Sequence, residues 1–332
     1  MPPGRAGGVA CKCLRGEQEV SFANASGEGR RKMYEITGYT RFGGLLGSPV
    51  AHSLSPAMHN LSFRTLGIDA VYLAFDVGQE KLGETVRVFR DLNTYGFNLT
   101  MPDKKKVMEY LDDLSVAARM IGAVNTVVNE NGKLVGHNTD GFGYTASVRE
   151  AGIDLRGKEV TLLGAGGAGR AACVQMALDG VRTLHIVNRR SRSFPEARDL
   201  ADRINRETKC RADLTDLEDS TALKNVIGSS DLLTNATSVG MEPHTDASPV
   251  PDASLLHEGL AVSDVIYHPR TTKLMKMAQE RGLKTFNGMY MLLWQGAECF
   301  RLWTGKEMPV ELVRKQYFPV AKEPQAAGVR IE

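Results

Sequence analysis

One run constrains this chain more than any other: KEVTLLGAGGAGRAACVQMALDG, residues 158–180. Val160 to Leu163 predict a buried strand, and a glycine turn follows at once. Ala168 to Leu178 then predict an apolar helix, closed by Gly180. Gly164, Gly166 and Gly169 fill the positions of a G-x-G-x-x-G pattern, with Gly167 as an extra glycine. The physical demand is specific: the backbone must turn sharply, approach a pyrophosphate closely and present free amides from a helix end. A bare glycine pattern is weak, whereas strand, turn and helix in this order supply the context it needs. The expected cofactor cradle is therefore Gly164, Ala165, Gly166, Gly167, Ala168 and Gly169.

The next strand, RTLHIVNRR, bears on which nucleotide is bound. A unit selective for NAD usually ends this strand in an acid that holds the ribose hydroxyls. Here Asn188, Arg189 and Arg190 stand there, and arginine favours a 2′-phosphate. The cofactor expected is NADP, with NAD as the second choice. SDLLTNATSVG and LAVSDVIYHP continue the alternation of a doubly wound parallel sheet.

Ahead of this unit lies a second α/β region. YTRFGGLLGSPV, AVYLAFDVG and YGFNLTMP predict strands, and SPAMHNLSFRTLG and QEKLGETVRVFRDL predict helices. AVNTVVNENGKLVGHNTD predicts a hairpin turning at Asn131-Gly132, followed by a helix from about Gly141 to Glu150. After the cofactor unit, GMYMLLWQGAECFRLWTG predicts an apolar final helix with Gln295 in its middle. A glutamine there is either solvated or, facing a cleft, a donor to a ligand hydroxyl or carboxylate.

Three polar stretches could carry chemistry. In AHSLSPAMHN, Ser55 is placed to cap a helix whose first turn holds Pro56. Ser53 is not needed for that; it is a loop serine or half of an anion cradle. FNLTMPDKKKVMEYLDDL sets three lysines at an expected helix start, where a cation opposes the helix dipole. GHNTDGFG offers Asp140, whose ordinary role would be to cap the next helix. Residue physics alone leaves both surface and catalytic roles open for these lysines and this aspartate.

Composition excludes several classes. Lys and Arg number 41 against 39 Asp and Glu, which argues against a phosphate-tracking nucleic-acid surface. No apolar run approaches a membrane span. Five scattered cysteines suit a reducing cytoplasm rather than a disulfide framework. Residues 1–32 predict a disordered extension, with Met33 as an alternative start and Cys11-x-Cys13 lacking metal-ligand partners. No metal site is expected, and His52 and His59 read as packing or surface groups.

Seven motifs in order are similar to those of the shikimate dehydrogenase family, particularly its quinate/shikimate branch. They are GSPVAHSLSPAMHN, FNLTMPDK, IGAVNTVV, GHNTDGFG, LLGAGGAGR, NATSVGM and MLLWQGAECF, and the resemblance runs from about Tyr39 to Phe318. It implies an N-terminal α/β substrate domain (33–138) and a Rossmann-like NADP-binding domain (139–285). A C-terminal helical segment (286–320) would return to the substrate domain, and residues 321–332 would form a tail.

The activity implied is reversible oxidation of the C3 hydroxyl of shikimate to 3-dehydroshikimate in chorismate biosynthesis, by a cytoplasmic monomer or homodimer. Lys104 would transfer the proton, with Asp140 as its partner. Ser53 and Ser55 would hold the substrate carboxylate, with Tyr72, Thr100, Asn125, Thr139 and Gln295 completing the substrate contacts. Val265, Tyr267 and Gly288 would join the cofactor pocket. Two departures from the family pattern stand out. Ser191 follows the two arginines where the branch commonly has an acid, which weakens NAD preference. Asp103 precedes Lys104 where Phe or Asn is common, and it would alter the lysine or cap the helix. Quinate as a secondary substrate stays open. The alternatives are a quinate-preferring NAD enzyme, a dehydrogenase for another cyclic hydroxy acid, and a nucleotide-binding regulator without turnover.

Overall fold

The computed structural model describes residues 35–92 and 94–318. Cys11, Cys13, Met33 and the 321–332 tail lie outside the described residues.

The first half alternates as expected: β1 Arg41–Gly47, α1 Ser55–Thr65, β2 Ala70–Asp76, α2 Leu82–Asp91 and β3 Thr94–Leu99. A two-residue β4, Asp113–Leu114, and the short α3 Val116–Ile121 precede the hairpin of β5 Thr126–Glu130 and β6 Lys133–His137. These strands form one mixed sheet in the order β2-β1-β3-β5-β6-β4, in which β1, β2 and β3 are parallel and β5 runs antiparallel to β3 and β6. That arrangement decides where chemistry can gather. The carboxyl ends of β1, β3 and β6 and the amino end of β5 share one edge, with Asn98 opposite Thr126 and Thr126 opposite His137. Residues 48–55, 98–105, 125 and 138–140 must therefore converge there.

Helix α4, Asp140–Glu150, leads from that edge to the second sheet. The elements that follow are β7 Glu159–Leu163, α5 Gly167–Leu178, β8 Thr183–Asn188, α6 Phe194–Glu207, β9 Arg211–Asp216 and α7 Ser220–Gly228. After them come β10 Leu232–Asn235, β11 Ala261–Asp264, α8 Lys273–Glu280 and β12 Thr285–Asn287. All six strands are parallel, in the order β12-β11-β10-β7-β8-β9. This is the classical doubly wound order, with its crevice between β7 and β10 at their carboxyl ends. The strands are covered on both faces, which is why β10 and the last four residues of β7 are wholly buried. Helix α6 presents Ala197, Leu200, Ala201 and Ile204 to this core, the spacing of a one-sided apolar stripe.

Two helices close the chain: α9 Met289–Thr304 and α10 Val310–Tyr317. Helix α9 returns to the first sheet, where Leu293, Phe300 and Trp303 share a core with Met58, Phe63 and Tyr72. The Trp303 indole is satisfied in that core, donating to the Val127 carbonyl at 2.9 Å. Burying each such large apolar side chain stabilises the return by about 1.5–3 kcal/mol. Among the described residues, no helix is long and apolar enough to cross a membrane.

Candidate active site

The carboxyl edges of the two sheets bound a cleft of about 610 Å³. From the first sheet it takes Ser53, Ser55, Asn98, Thr100, Lys104, Asn125 and Asp140; from the second, Ala168, Val265 and Tyr267. Gly288 and Gln295, at the start and in the middle of α9, complete it. A second hollow of about 630 Å³ lies elsewhere, lined by Arg149, Asp154, Arg156 and Asp179. Its charged groups pair with one another, Arg149 with Asp179 and Arg156 with Asp154, and it lies beside the segment leading into β7 rather than at the carboxyl edges of the sheets.

At the centre of the cleft, Lys104 Nζ donates to Asp140 Oδ2 at 2.6 Å. The other carboxylate oxygen accepts from Asn125 Nδ2 at 2.9 Å, while the Asn125 side-chain Oδ1 accepts the Thr139 amide at 2.8 Å. A hydrogen bond to a charged group contributes about 1.5–3 kcal/mol, so the carboxylate is pinned from two sides. Lys104 is fixed through its backbone as well, its carbonyl accepting the Val124 amide at 2.8 Å. Lys104 and Asp140 keep 30% and 18% of their side-chain surface, enough to meet a ligand.

Several local expectations are corrected. The lysines do not open an α-helix: Lys104 lies in a turn, and a five-residue 3-10 helix starts at Lys106, so no substantial helix dipole bears on it. Ser55 does not cap α1. Leu54 already has helical angles, which makes Ser55 the first helical residue, and it is Ser53 Oγ that accepts the Ser55 amide at 3.2 Å. Asp140 likewise is the first residue of α4 rather than its cap, leaving its carboxylate for Lys104 and Asn125. Asp103 caps nothing: it is fully buried, and neither carboxylate oxygen has a protein hydrogen-bond partner. Burial, then the charge of Glu80, raises its pKa.

Two expected substrate contacts also fail. Tyr72 has no exposed surface; it packs against His59, and its hydroxyl donates to Asn98 Oδ1 at 2.7 Å. Strand alternation turns it into the aromatic core rather than the cleft. Thr139 is 2% exposed, and its hydroxyl bonds with Asn125 and Cys299 beneath the cleft floor. His59 is a packing group, stacked between Tyr72 and Phe300, and burial pushes its pKa down to about 3. His52, by contrast, borders the cleft.

Asn98 is the residue that sequence reasoning missed. It lines the cleft and donates to the Asn125 carbonyl and the Thr126 hydroxyl, both at 3.0 Å, so it holds up the Asn125 segment. A lone asparagine in the apolar strand segment FNL was its signal, because strands disfavour Asn unless its amide is used.

The glycine turn fits a dinucleotide. Gly164 has φ +94°, and a Cβ on Gly169 would lie 2.0 Å from the Gly164 carbonyl oxygen, so both positions demand glycine. Gly166 and Gly167 differ: a Cβ there meets nothing within 4 Å, leaving open space at the α5 N-terminus. Asn188 Oδ1 receives the Ala165 amide at 3.4 Å, tying the turn to the end of β8. Arg189 and Arg190 follow, both exposed. Among the described residues, no group of three or more His, Cys, Asp or Glu side chains is placed to hold a metal ion.

Fold and cleft together define a Rossmann-type α/β protein with a second substrate-binding sheet. Residues 45–127 match the model of the shikimate dehydrogenase substrate binding domain, and residues 288–316 match the shikimate 5′-dehydrogenase C-terminal domain. The chain is 48% identical over 283 residues to a shikimate dehydrogenase (NADP(+)) of Listeria innocua, covering 85% of this chain and 97% of that one. It is 43% identical to a quinate/shikimate dehydrogenase of Escherichia coli, covering 85% and 98%. A crystal structure of shikimate 5-dehydrogenase from Listeria monocytogenes in complex with shikimate and NAD superposes with a TM-score of 0.82 at 48% identity, covering 84% and 97%. This chain belongs to the shikimate dehydrogenase family.

Proposed function

We propose that this protein is an NADP(H)-linked shikimate dehydrogenase that oxidises the ring C3 hydroxyl of shikimate reversibly to 3-dehydroshikimate and also accepts NAD. The observation that carries this reading is the Lys104–Asp140 pair, 2.6 Å apart in a cleft that also takes in Ala168 of the glycine turn and Tyr267 after β11. The residues at the turn suit a nicotinamide dinucleotide: Gly166 and Gly167 leave room for a pyrophosphate at the α5 N-terminus, and Arg189 stands where a 2′-phosphate would be met. When bound, that cofactor supplies the hydride acceptor or donor.

The chain's own residues manage the proton and the pose. Oxidation of a secondary alcohol requires its hydroxyl proton to leave as the C–H hydride departs. Lys104 Nζ either donates to the developing alkoxide as an ammonium or accepts the proton as an amine. Asp140 Oδ2 holds Nζ in place, and Asn125 holds the other oxygen of that carboxylate. Ser53 and Ser55, side by side at the α1 start, would receive the substrate carboxylate, and Thr100, Asn125 and Gln295 would bind the remaining polar groups. The three described cysteines are free and buried, which suits a reducing compartment such as the cytoplasm.

The test is a kinetic matrix of shikimate and quinate against NADP and NAD, followed at 340 nm in both directions. The expected result is turnover with shikimate, larger with NADP than with NAD. Purified protein that reduces neither cofactor with shikimate overturns the reading.

A further inference from the structure

The two arginines after β8 are not equivalent. Arg189 has no ion-pair partner among the described residues. Arg190 is held: its Nε donates to Asp216 Oδ2 at 2.5 Å, and its guanidinium lies 5.6 Å over the Phe194 ring. Asp216 is the last residue of β9 and lies directly opposite Asn188, the last residue of β8, in the parallel ladder. The carboxylate thus comes to the edge of the expected ribose site from the neighbouring strand. It is fixed there, because its other oxygen accepts the Glu218 amide at 3.1 Å and only 16% of its side chain is exposed. That amide and the Arg190 guanidinium also hold its pKa below the ordinary carboxylate value, so it stays an anion across the working range.

Resting on the cofactor site proposed above, we infer that Asp216 sets the chain's choice between NADP and NAD by holding Arg190 in an ion pair and cancelling its charge. A 2′-phosphate carries close to two negative charges, and at this edge it meets Arg190 with its charge already compensated, whereas Arg189 and the exposed Arg192 have no ion-pair partner among the described residues. Drawing Arg190 towards the phosphate would break a charge-assisted hydrogen bond and leave the Asp216 carboxylate facing an anion. A ribose without that phosphate meets no such opposition. Asp216 therefore weakens NADP binding selectively and leaves NAD binding alone, which makes a dual-cofactor enzyme out of a turn that carries two arginines.

The test measures binding directly, by titration calorimetry of NADP, NAD, 2′,5′-ADP and 5′-AMP, on the wild type, Asp216→Asn, Arg190→Gln and the double variant. In Asp216→Asn the Kd for NADP and 2′,5′-ADP should tighten about tenfold, equivalent to about 1.4 kcal/mol. Unchanged NAD and 5′-AMP affinities show that the variant has kept its fold. In the Arg190→Gln background the same substitution should tighten NADP binding less, since it then relieves only the repulsion between a lone carboxylate and the 2′-phosphate and frees no guanidinium. Equal NADP affinity in wild type and Asp216→Asn overturns the inference, as does a tightening of the same size when Arg190 is absent. Failure of the underlying reading looks different: the wild type would bind neither dinucleotide and would show no shikimate turnover.

Discussion

The two sheets solve different problems with the same kinds of element. The second sheet is all parallel, its strands short and aliphatic, and its ligand-facing edge is mostly backbone: a glycine turn and a helix end. The first sheet is mixed, and its antiparallel hairpin brings Asn125 and Asp140 to the edge where the parallel strands deliver Ser53 and Lys104. A parallel sheet alone offers only carboxyl ends at such an edge. Reversing one strand adds an amino end, and with it a denser set of side chains. Backbone suffices for a ligand whose recognition is mostly phosphate geometry, whereas a proton transfer needs side chains of chosen chemistry.

That contrast can be broken most sharply at Lys104. Lys104→Met should lower kcat about 10²- to 10⁴-fold while leaving the Kd for NADP unchanged, as measured by steady-state kinetics and calorimetry. A variant with near-normal turnover would separate the proton step from the first sheet. At the other edge, Gly166→Val should weaken NADP binding by about tenfold or more and leave Tm within about 2 °C, because a Cβ at Gly166 meets nothing within 4 Å in the protein. Shikimate binding, read by calorimetry without cofactor, should persist. Loss of both ligands would mean that the edges do not act separately.

The smallest effect sharpens the comparison at two buried histidines. His59, in the first sheet's aromatic core, has its pKa pushed down to about 3 by burial. The unfolded chain therefore binds a proton that the folded chain refuses, and stability falls as pH drops below about 6.5. His185, on β8, is bracketed by Asp213 at 2.9 Å and Glu159 at 3.0 Å. Burial works against its charged form, but hydrogen bonds and charge from Asp213 and Glu159 outweigh it, and the pKa is raised. Its contribution is complete below the unfolded pKa and disappears as pH rises through the folded one. In urea denaturation, His59→Phe should therefore recover about 1 kcal/mol near pH 5.5 and less than that near pH 8. His185→Gln should lose more stability near pH 5.5 than near pH 8.5. Parallel pH slopes for the two variants would contradict both assignments.

What was legible in the sequence follows from how local each signal is. The strand–turn–helix around Gly164 is written in adjacent residues, and so is the Asn131-Gly132 hairpin. The pairing of Lys104 with Asp140 spans 36 positions and became readable only through the resemblance of whole motifs. The failures have the opposite character. AVYLAFD announces a strand, but alternation does not say which face meets the cleft, and Tyr72 went to the core. Ser55 lost its capping role because Leu54 took helical angles, a shift of one residue that capping statistics do not resolve. Asn98 matters through partners on β5 and in the residue just before it, which no window along the chain contains.

Helix α4 begins with Asp140 and lies pressed between α5 and α9. A Cβ on Gly141 would sit 2.4 Å from the Ala171 carbonyl oxygen on one neighbour, and a Cβ on Gly143 would sit 2.4 Å from the Met291 carbonyl oxygen on the other. The spacing between the Lys104–Asp140 pair and the glycine turn is thereby set by three backbones in near contact, much as a shim sets a gap. Bulk introduced at either glycine would shift the Lys104–Asp140 pair relative to the glycine turn from a distance.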